Sequence, residues 1–244
     1  MTWTQISCAV FAQQGVEPIC FPWAELRDEI SGLGTQGGLR RFWFVRKPPG
    51  VRLRFETADD GASLVARLVP WLAEAEARNQ VRSFRLTTYE AEEHKFGGSV
   101  GMELAHGLLD AHARAAVAVL AEDAAPEHRA VLWRGALGAL LDGALADDDE
   151  RWDVWSQILA ALPDGPEASG RDRPWHLPDR SDDGDHPEIR EIGVRLRACA
   201  DAGVLTAGPR AWCRSAAFFL SNQMGLPYWD DLFVATVRSM AVRP

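Results

Sequence analysis

Lysine is nearly missing from this 244-residue chain, which has only Lys47 and Lys95. Arginine therefore carries almost all the positive charge, and a GC-rich coding bias accounts for most of the exposed arginines. The four cysteines, Cys8, Cys20, Cys199 and Cys213, are scattered, with no CxxC and no zinc-ligand spacing. They read as buried, reduced thiols. No apolar run reaches the roughly 20 residues that a membrane-spanning helix needs. The N-terminus lacks the basic start and small-residue cleavage pattern of a signal peptide, so a cytoplasmic protein with no membrane partner is expected. The histidines offer no HExxH pattern. His106 and His112 lie six apart on one helix and face different ways, so no metal site is expected. There is no internal repeat. GGSVG at 97–101 lacks the Lys-Ser/Thr of a phosphate-binding loop and reads as a tight turn. The formal net charge of −9 argues against a general nucleic-acid surface.

What remains is an ordinary globular composition, 47% hydrophobic and 25% charged, long enough for one sizeable core. Apolar alternation predicts strands over 3–12, 40–46, 51–56 and 81–90. Helical periodicity predicts helices over 23–33, 62–78 (with a kink or restart at Pro70), 101–121, 127–146, 151–162, 188–202, 209–224 and 228–241. Pro209 suits a first helical turn and Gly225 a helix C-terminus. ADDDERWD at 146–153 reads as a solvated linker with a helix-capping Asp. The segment 163–187, rich in Pro, Gly and charge, reads as an exposed flexible loop. Strands early and helices late imply an α+β fold over 1–244. Its single domain has an antiparallel sheet from the N-terminal half packed against several helices.

The segment FWFVRKPPGVRLRF at 42–55 holds the most chemistry. Two β-prone runs flank a Lys-Pro-Pro-Gly turn, and Arg46, Arg52 and Arg54 project from runs that otherwise read as core. A buried guanidinium is costly unless an anionic or strongly polar group meets it, and its fork suits carboxylates and peptide carbonyls. A tight register opposes Val45 to Arg52 and Trp43 to Arg54, which allows a cation–π pair. Arg46 falls on the other face unless the prolines introduce a bulge. Structural ion pairs and a binding site remain open readings from the residues alone.

Three segments occur in a telling order: WFVRKPPGVRLRF, then TYEAEEHKFGGSVGMELAHGLLDAHARAAVAVL, then SAAFFLSNQMGL. Together they resemble the C-terminal domain of lantibiotic dehydratases, also called the thiopeptide-type bacteriocin biosynthesis domain. The resemblance runs from the Trp3 strand to the last helices, a length that implies a stand-alone version. It implies one of two activities on ribosomally made peptides. One is elimination of glutamate from a glutamylated Ser or Thr. The other is a formal [4+2] aza-cycloaddition of two dehydroalanines, forming a central pyridine and expelling the leader peptide. Neither requires a metal or an organic cofactor.

Departures from the family pattern favour the second activity. Elimination enzymes carry an Arg before the aromatic-Gly-Gly turn, where this chain has Lys95. They carry a late His and Arg where an alignment on Asn222 places Phe218 and Gln223. Elimination needs a base and anion donors, whereas a cycloaddition needs two alkenes held at near-attack distance and one iminol tautomer stabilised. The resemblance thus points to a pyridine synthase. Tyr89, Ser215 and Asn222 are its candidate catalytic groups. Trp43, Arg46, Arg52, Arg54, Lys95, Phe218, Phe219 and Gln223 are its candidate substrate contacts. Replacing Arg52 or Arg54 by Ala is expected to cost more turnover than stability. The implied partner is a dehydrated, azole-containing precursor peptide with its leader, alongside other biosynthetic enzymes. The alternatives are a glutamate-elimination subunit of a split dehydratase and a non-catalytic leader-binding scaffold.

Overall fold

The computed structural model describes residues 2–10, 21–35, 38–162, 183–228 and 230–242. The chain divides into two compact units, Met1–Ala91 with Leu109–Ala124, and Glu92–Leu108 with Ala125–Pro244.

The first unit is built on four strands: β1 (Thr2–Ala9), β2 (Leu39–Lys47), β3 (Gly50–Thr57) and β4 (Ser83–Thr87). They form an antiparallel sheet in the order β2-β3-β1-β4. Side chains alternate between its two faces. One face carries Phe42 and Phe44 from β2, Leu53 and Phe55 from β3, and Ile6 from β1, all fully buried. Burial of each such side chain stabilises the fold by about 1.5–3 kcal/mol. Helix α1 (Trp23–Thr35) buries Trp23, Leu26, Ile30 and Leu33. The Trp23 ring lies 4.9 Å from that of Phe44, which seats α1 on this apolar face. Helix α2 (Ala62–Ala77) runs unbroken through Pro70, so the proline neither restarts nor ends it.

The hairpin register is the one its turn implies, Val45 opposite Arg52 and Trp43 opposite Arg54. The only irregularity in that ladder falls between Leu39 and Arg41, away from the turn. The strand expected over 3–12 ends at Ala9, and positions 11 and 12 lie outside the described residues. The strand expected over 81–90 shortens to β4, because pairing to β1 runs only from Ser83 to Thr87.

Helix α3 (Ser99–Ala121) starts two residues before its expected first residue and continues from the second unit into the first. The second unit is otherwise helical, with α4 (Pro126–Ala144), α5 (Asp148–Ala160), α6 (Pro187–Asp201), α7 (Pro209–Gln223) and α8 (Asp231–Met240). Buried residues occur all around α4, which makes it the central helix of this unit. It meets α6 at backbone distance: a Cβ on Gly143 would sit 2.1 Å from the Arg190 carbonyl oxygen, and one on Gly193 would sit 2.4 Å from that of Leu140. On the other side the Trp133 indole donates to the Ala217 carbonyl at 3.1 Å, tying α4 to α7.

Part of the acidic run at 146–153 is helix and not linker. The Asp147 carboxylate accepts from the Glu150 N–H at 2.9 Å, and the Glu150 carboxylate accepts from the Ala146 N–H at 2.8 Å. This reciprocal cap, with Asp148 and Asp149 in the first turn, starts α5 three residues early. Of the segment 163–187, residues 163–182 lie outside the described residues. Asp183 is ion-paired to Arg134, and α6 already begins at Pro187. The α+β architecture is the one the sequence implies. Among the described residues no helix is long and apolar enough to cross a membrane.

Candidate functional site

The face of the sheet opposite α1 is lined by arginine. Across it, Trp43, Arg54, Gln5 and Thr87 form one row, and Val45, Arg52, Ser7 and Arg85 form the next. Arg54 is only 4% exposed. Its Nε donates to the Gln5 side-chain oxygen at 2.8 Å. Gln5 in turn donates to the Thr87 hydroxyl at 2.8 Å, and that hydroxyl lies 3.0 Å from the one on Ser7. The chain of polar groups fixes the plane of the guanidinium.

Aromatic faces complete the setting. The guanidinium carbon of Arg54 lies 4.1 Å from the Trp43 ring centre and 4.7 Å from that of Tyr89. Tyr89 also meets Trp3, with ring centres 5.2 Å apart. Cation–π contact offsets part of the cost of burial, at about 1–2 kcal/mol for a desolvated pair. The arrangement can present a planar, permanently charged donor beside a phenol, which suits a carbonyl or carboxylate oxygen. The burial of Arg54 also gives it a structural role that the sequence expectation for its Ala replacement left out.

Arg52 is half-buried in the neighbouring row, on the same face as Arg54. Arg46 is not on that face. The alternation runs without a break from Phe42 to Lys47, so its guanidinium goes to the α1 side, 5.6 Å from the Trp23 ring centre. Gln5 and Thr87 were not singled out in the sequence. The usable signal was Gln5 within a strand that otherwise reads as core, since a buried amide needs a partner.

The other candidates belong to the helical unit. A short 3-10 turn, Glu93–Lys95, leads into Gly97 and Gly98, whose φ values are 74° and 101°. A Cβ on Gly97 would meet the Ala207 nitrogen at 2.8 Å, and one on Gly101 the Phe96 carbonyl oxygen at 1.7 Å. The Trp212 indole donates to the Gly101 carbonyl at 3.2 Å. The Gly-Gly segment is thus a close-packed turn. Lys95 pairs with Glu92, and its ammonium lies 5.7 Å from the Phe219 ring centre. Phe219 reaches Phe96 at 5.6 Å.

On α7, Phe218 turns away from Phe219 and packs near Phe233 and Tyr228, at 6.3 and 6.4 Å. The Ser215 hydroxyl donates back to the Ala211 carbonyl at 3.1 Å. The Asn222 carbonyl accepts from Gly225 N–H at 3.1 Å and that of Ser221 from Leu226 N–H at 2.9 Å, closing the helix around left-handed Gly225. Gln223 is fully buried. The first unit therefore gathers Trp43, Arg52, Arg54 and Tyr89, and the second gathers Lys95 with Phe219, while Phe218 faces a different set of rings.

Burial pushes the Cys8 thiol up to about 12 and raises that of Cys213 as well, so neither is a thiolate at neutral pH. Cys199 is half-buried, and Cys20 lies outside the described residues. Among the described residues no three of His, Cys, Asp and Glu cluster to hold a metal ion.

No curated protein matches the sequence. Among solved structures, the tRNA dependent lantibiotic dehydratase MibB from Microbispora sp. 107891 matches at a TM-score of 0.67 and 16% identity, over 96% of this chain and 27% of that one. The chain thus spans just over a quarter of the length of that dehydratase, and the likeness is one of fold. The family model for lantibiotic biosynthesis dehydratase C-term matches residues 24–191, more than half of the sequence, and includes β2, β3, β4 and the Gly-Gly turn. The arginine-lined sheet and the turn that opens α3 are thus features of a chain that belongs to the lantibiotic biosynthesis dehydratase C-terminal family.

Proposed function

We propose that the protein is a thiopeptide pyridine synthase acting on a dehydrated precursor peptide. The observation that carries this reading is Phe218. Elimination enzymes of the family are expected to hold an imidazole at this place, and here a benzene ring packs near Phe233 and Tyr228. Without that base, loss of glutamate has no evident proton acceptor on α7. Cycloaddition asks for less. One amide next to a dehydroalanine shifts to its iminol form, and the resulting aza-diene adds across a second dehydroalanine. Two new C–C bonds, one from the dehydroalanine methylene and one from the iminol carbon, close a six-membered ring and the macrocycle. Water leaves, then the leader departs as a carboxamide, and the ring becomes a pyridine.

In this reading Arg54 donates to the amide oxygen as it gains iminol character, with its plane set by Gln5. Arg52, on the same face, holds a neighbouring peptide carbonyl. Tyr89 stands over the Arg54 guanidinium and relays the proton, while Trp43 forms an apolar wall. No step calls on a metal or an organic cofactor.

Mass spectrometry tests the proposal. The protein is incubated with a dehydrated, azole-bearing precursor that retains its leader. The expected result is a macrocycle whose mass has fallen by that of water and the departed leader, together with free leader carboxamide. Loss of glutamate from a glutamylated precursor, with no ring formed, overturns it in favour of elimination.

A further inference from the structure

We propose that β4 is a docking edge for an extended peptide segment in which acidic residues alternate with apolar ones. The four strands carry seven basic side chains, Arg40, Arg41, Arg46, Lys47, Arg52, Arg54 and Arg85, and a single acidic one, Glu56. That concentration stands in a chain whose net charge is −9. Glu56 is already paired, with Arg41 at 3.4 Å. Neither the Arg52 nor the Arg85 guanidinium has an ion-pair or hydrogen-bond partner among the described residues, and both flank Ser7 on one face of the sheet. Elsewhere, arginines 67, 78, 114, 134, 151 and 210 all meet carboxylates. Arg40, Arg82, Arg195 and Arg238 are unmatched among the described residues as well, but Arg52 and Arg85 stand on either side of a single β1 residue, Ser7.

Among the described residues β4 pairs on one side only, with β1. The other outer strand, β2, is engaged by a side chain, since the Phe42 N–H donates to Asp110 at 2.8 Å. Short length and a charged residue are the usual defences of an exposed edge, and β4 has both. It also has Leu86, which is 54% exposed on the face opposite Arg85. A strand added beside β4 would make main-chain hydrogen bonds and send alternate side chains to the two faces. Its acidic side chains would meet Arg85, with Arg52 beyond Ser7, and its apolar ones would cover Leu86. A flexible polyanion such as single-stranded nucleic acid matches the arginines but offers nothing to cover Leu86.

This inference rests on the reading that the substrate is a peptide, but its test needs no turnover. A fluorescein-labelled peptide of alternating Glu and Val is titrated with the full chain and followed by anisotropy. Saturable binding that weakens as salt rises is expected. Arg85→Ala should weaken it about fivefold, the scale of one exposed charge pair, and Arg85→Glu further. Leu86→Ser should weaken it with no change in salt dependence. Methylating alternate peptide amides should abolish it if the segment adds as a strand. The proposal is overturned if Arg85→Glu, with an unchanged melting temperature, binds like the parent. It is also overturned if the N-methylated peptide binds as well, or if a Lys-Val peptide or an oligonucleotide binds equally tightly. Absence of cyclisation with binding intact would refute the proposed reaction and leave the docking edge standing.

Discussion

Arg54 and Trp43 face each other across the β2–β3 hairpin, and the guanidinium carbon lies 4.1 Å from the indole ring centre. Tyr89 lies 4.7 Å from the same carbon, its ring at 83° to the indole with the two ring centres 5.9 Å apart, so one cation sits in the corner between two aromatic rings while Gln5 holds its Nε. Lysine cannot reproduce this, because an ammonium has neither the plane nor the fork. Arg54→Lys should lower turnover about a hundredfold, the scale of losing one oriented donor. Thermal melts should show a much smaller effect. Near-wild-type cyclisation in the Lys variant would remove Arg54 from the proposed chemistry.

Gly101 and Gly138 should respond to the same substitution with opposite signs. A Cβ on Gly101 would lie 1.7 Å from the Phe96 carbonyl oxygen, a backbone atom that cannot step aside. Gly101→Ala should destabilise the fold by about 3 kcal/mol. Gly138, inside α4, has open space where a methyl group would stand, with nothing within 4 Å. Gly138→Ala should therefore stabilise by about 0.5–1 kcal/mol. Urea titrations of the two variants read the contrast directly.

The buried thiols give the protein an alkaline limit. Cys8 has its pKa raised from 9.0 to about 12 by burial, and that of Cys213 is raised for the same reason. In this case the folded state keeps protons that the unfolded chain releases. Their contribution is fully present below pH 9, and stability falls as pH rises from about 9 towards 12. Melting temperatures across pH 8–11 should decline, and the decline should be shallower in a Cys8→Ala variant. Alkylation at pH 8 should mark Cys199 before Cys8 or Cys213.

Two arginine ion pairs should differ sharply when broken. Arg134 is 3% exposed and binds Asp183 through Nε at 2.7 Å. Arg134→Ala leaves that carboxylate without its counter-charge and should cost about 3 kcal/mol. Arg151 meets Asp142 at 2.7 Å in a much more exposed setting, and Arg151→Ala should cost less than about 1 kcal/mol. Equal losses in the two variants would mean that burial does not govern these pairs.

Local chemistry made much of this fold legible in advance. The Lys-Pro-Pro-Gly turn sets the register of β2 and β3, so the Trp43–Arg54 contact could be read from residues eleven apart. Pro209 and Gly225 mark the two ends of α7, because one fixes a helical φ and the other accepts a left-handed one. Strand order was not legible. Placing β1 between β3 and β4 depends on which apolar faces find each other at long range. For that reason Tyr89 could be named without its place over Arg54, and Gln5 was missed altogether. Phe218 and Phe219 adjoin in sequence, but successive residues on a helix point about 100° apart, which sends them to different neighbours.

The path of α3 limits how the protein can be divided. Its residues up to Leu108 belong with the helical unit and those from Leu109 with the sheet unit. A fragment ending at Ala91 would keep all four strands yet lack Asp110, whose carboxylate holds the Phe42 N–H on the outer edge of β2. A fragment beginning at Glu92 would carry a half-helix that belongs to the missing sheet. Neither unit is a contiguous stretch of chain, so exchange between relatives by a single crossover would split one or both of them.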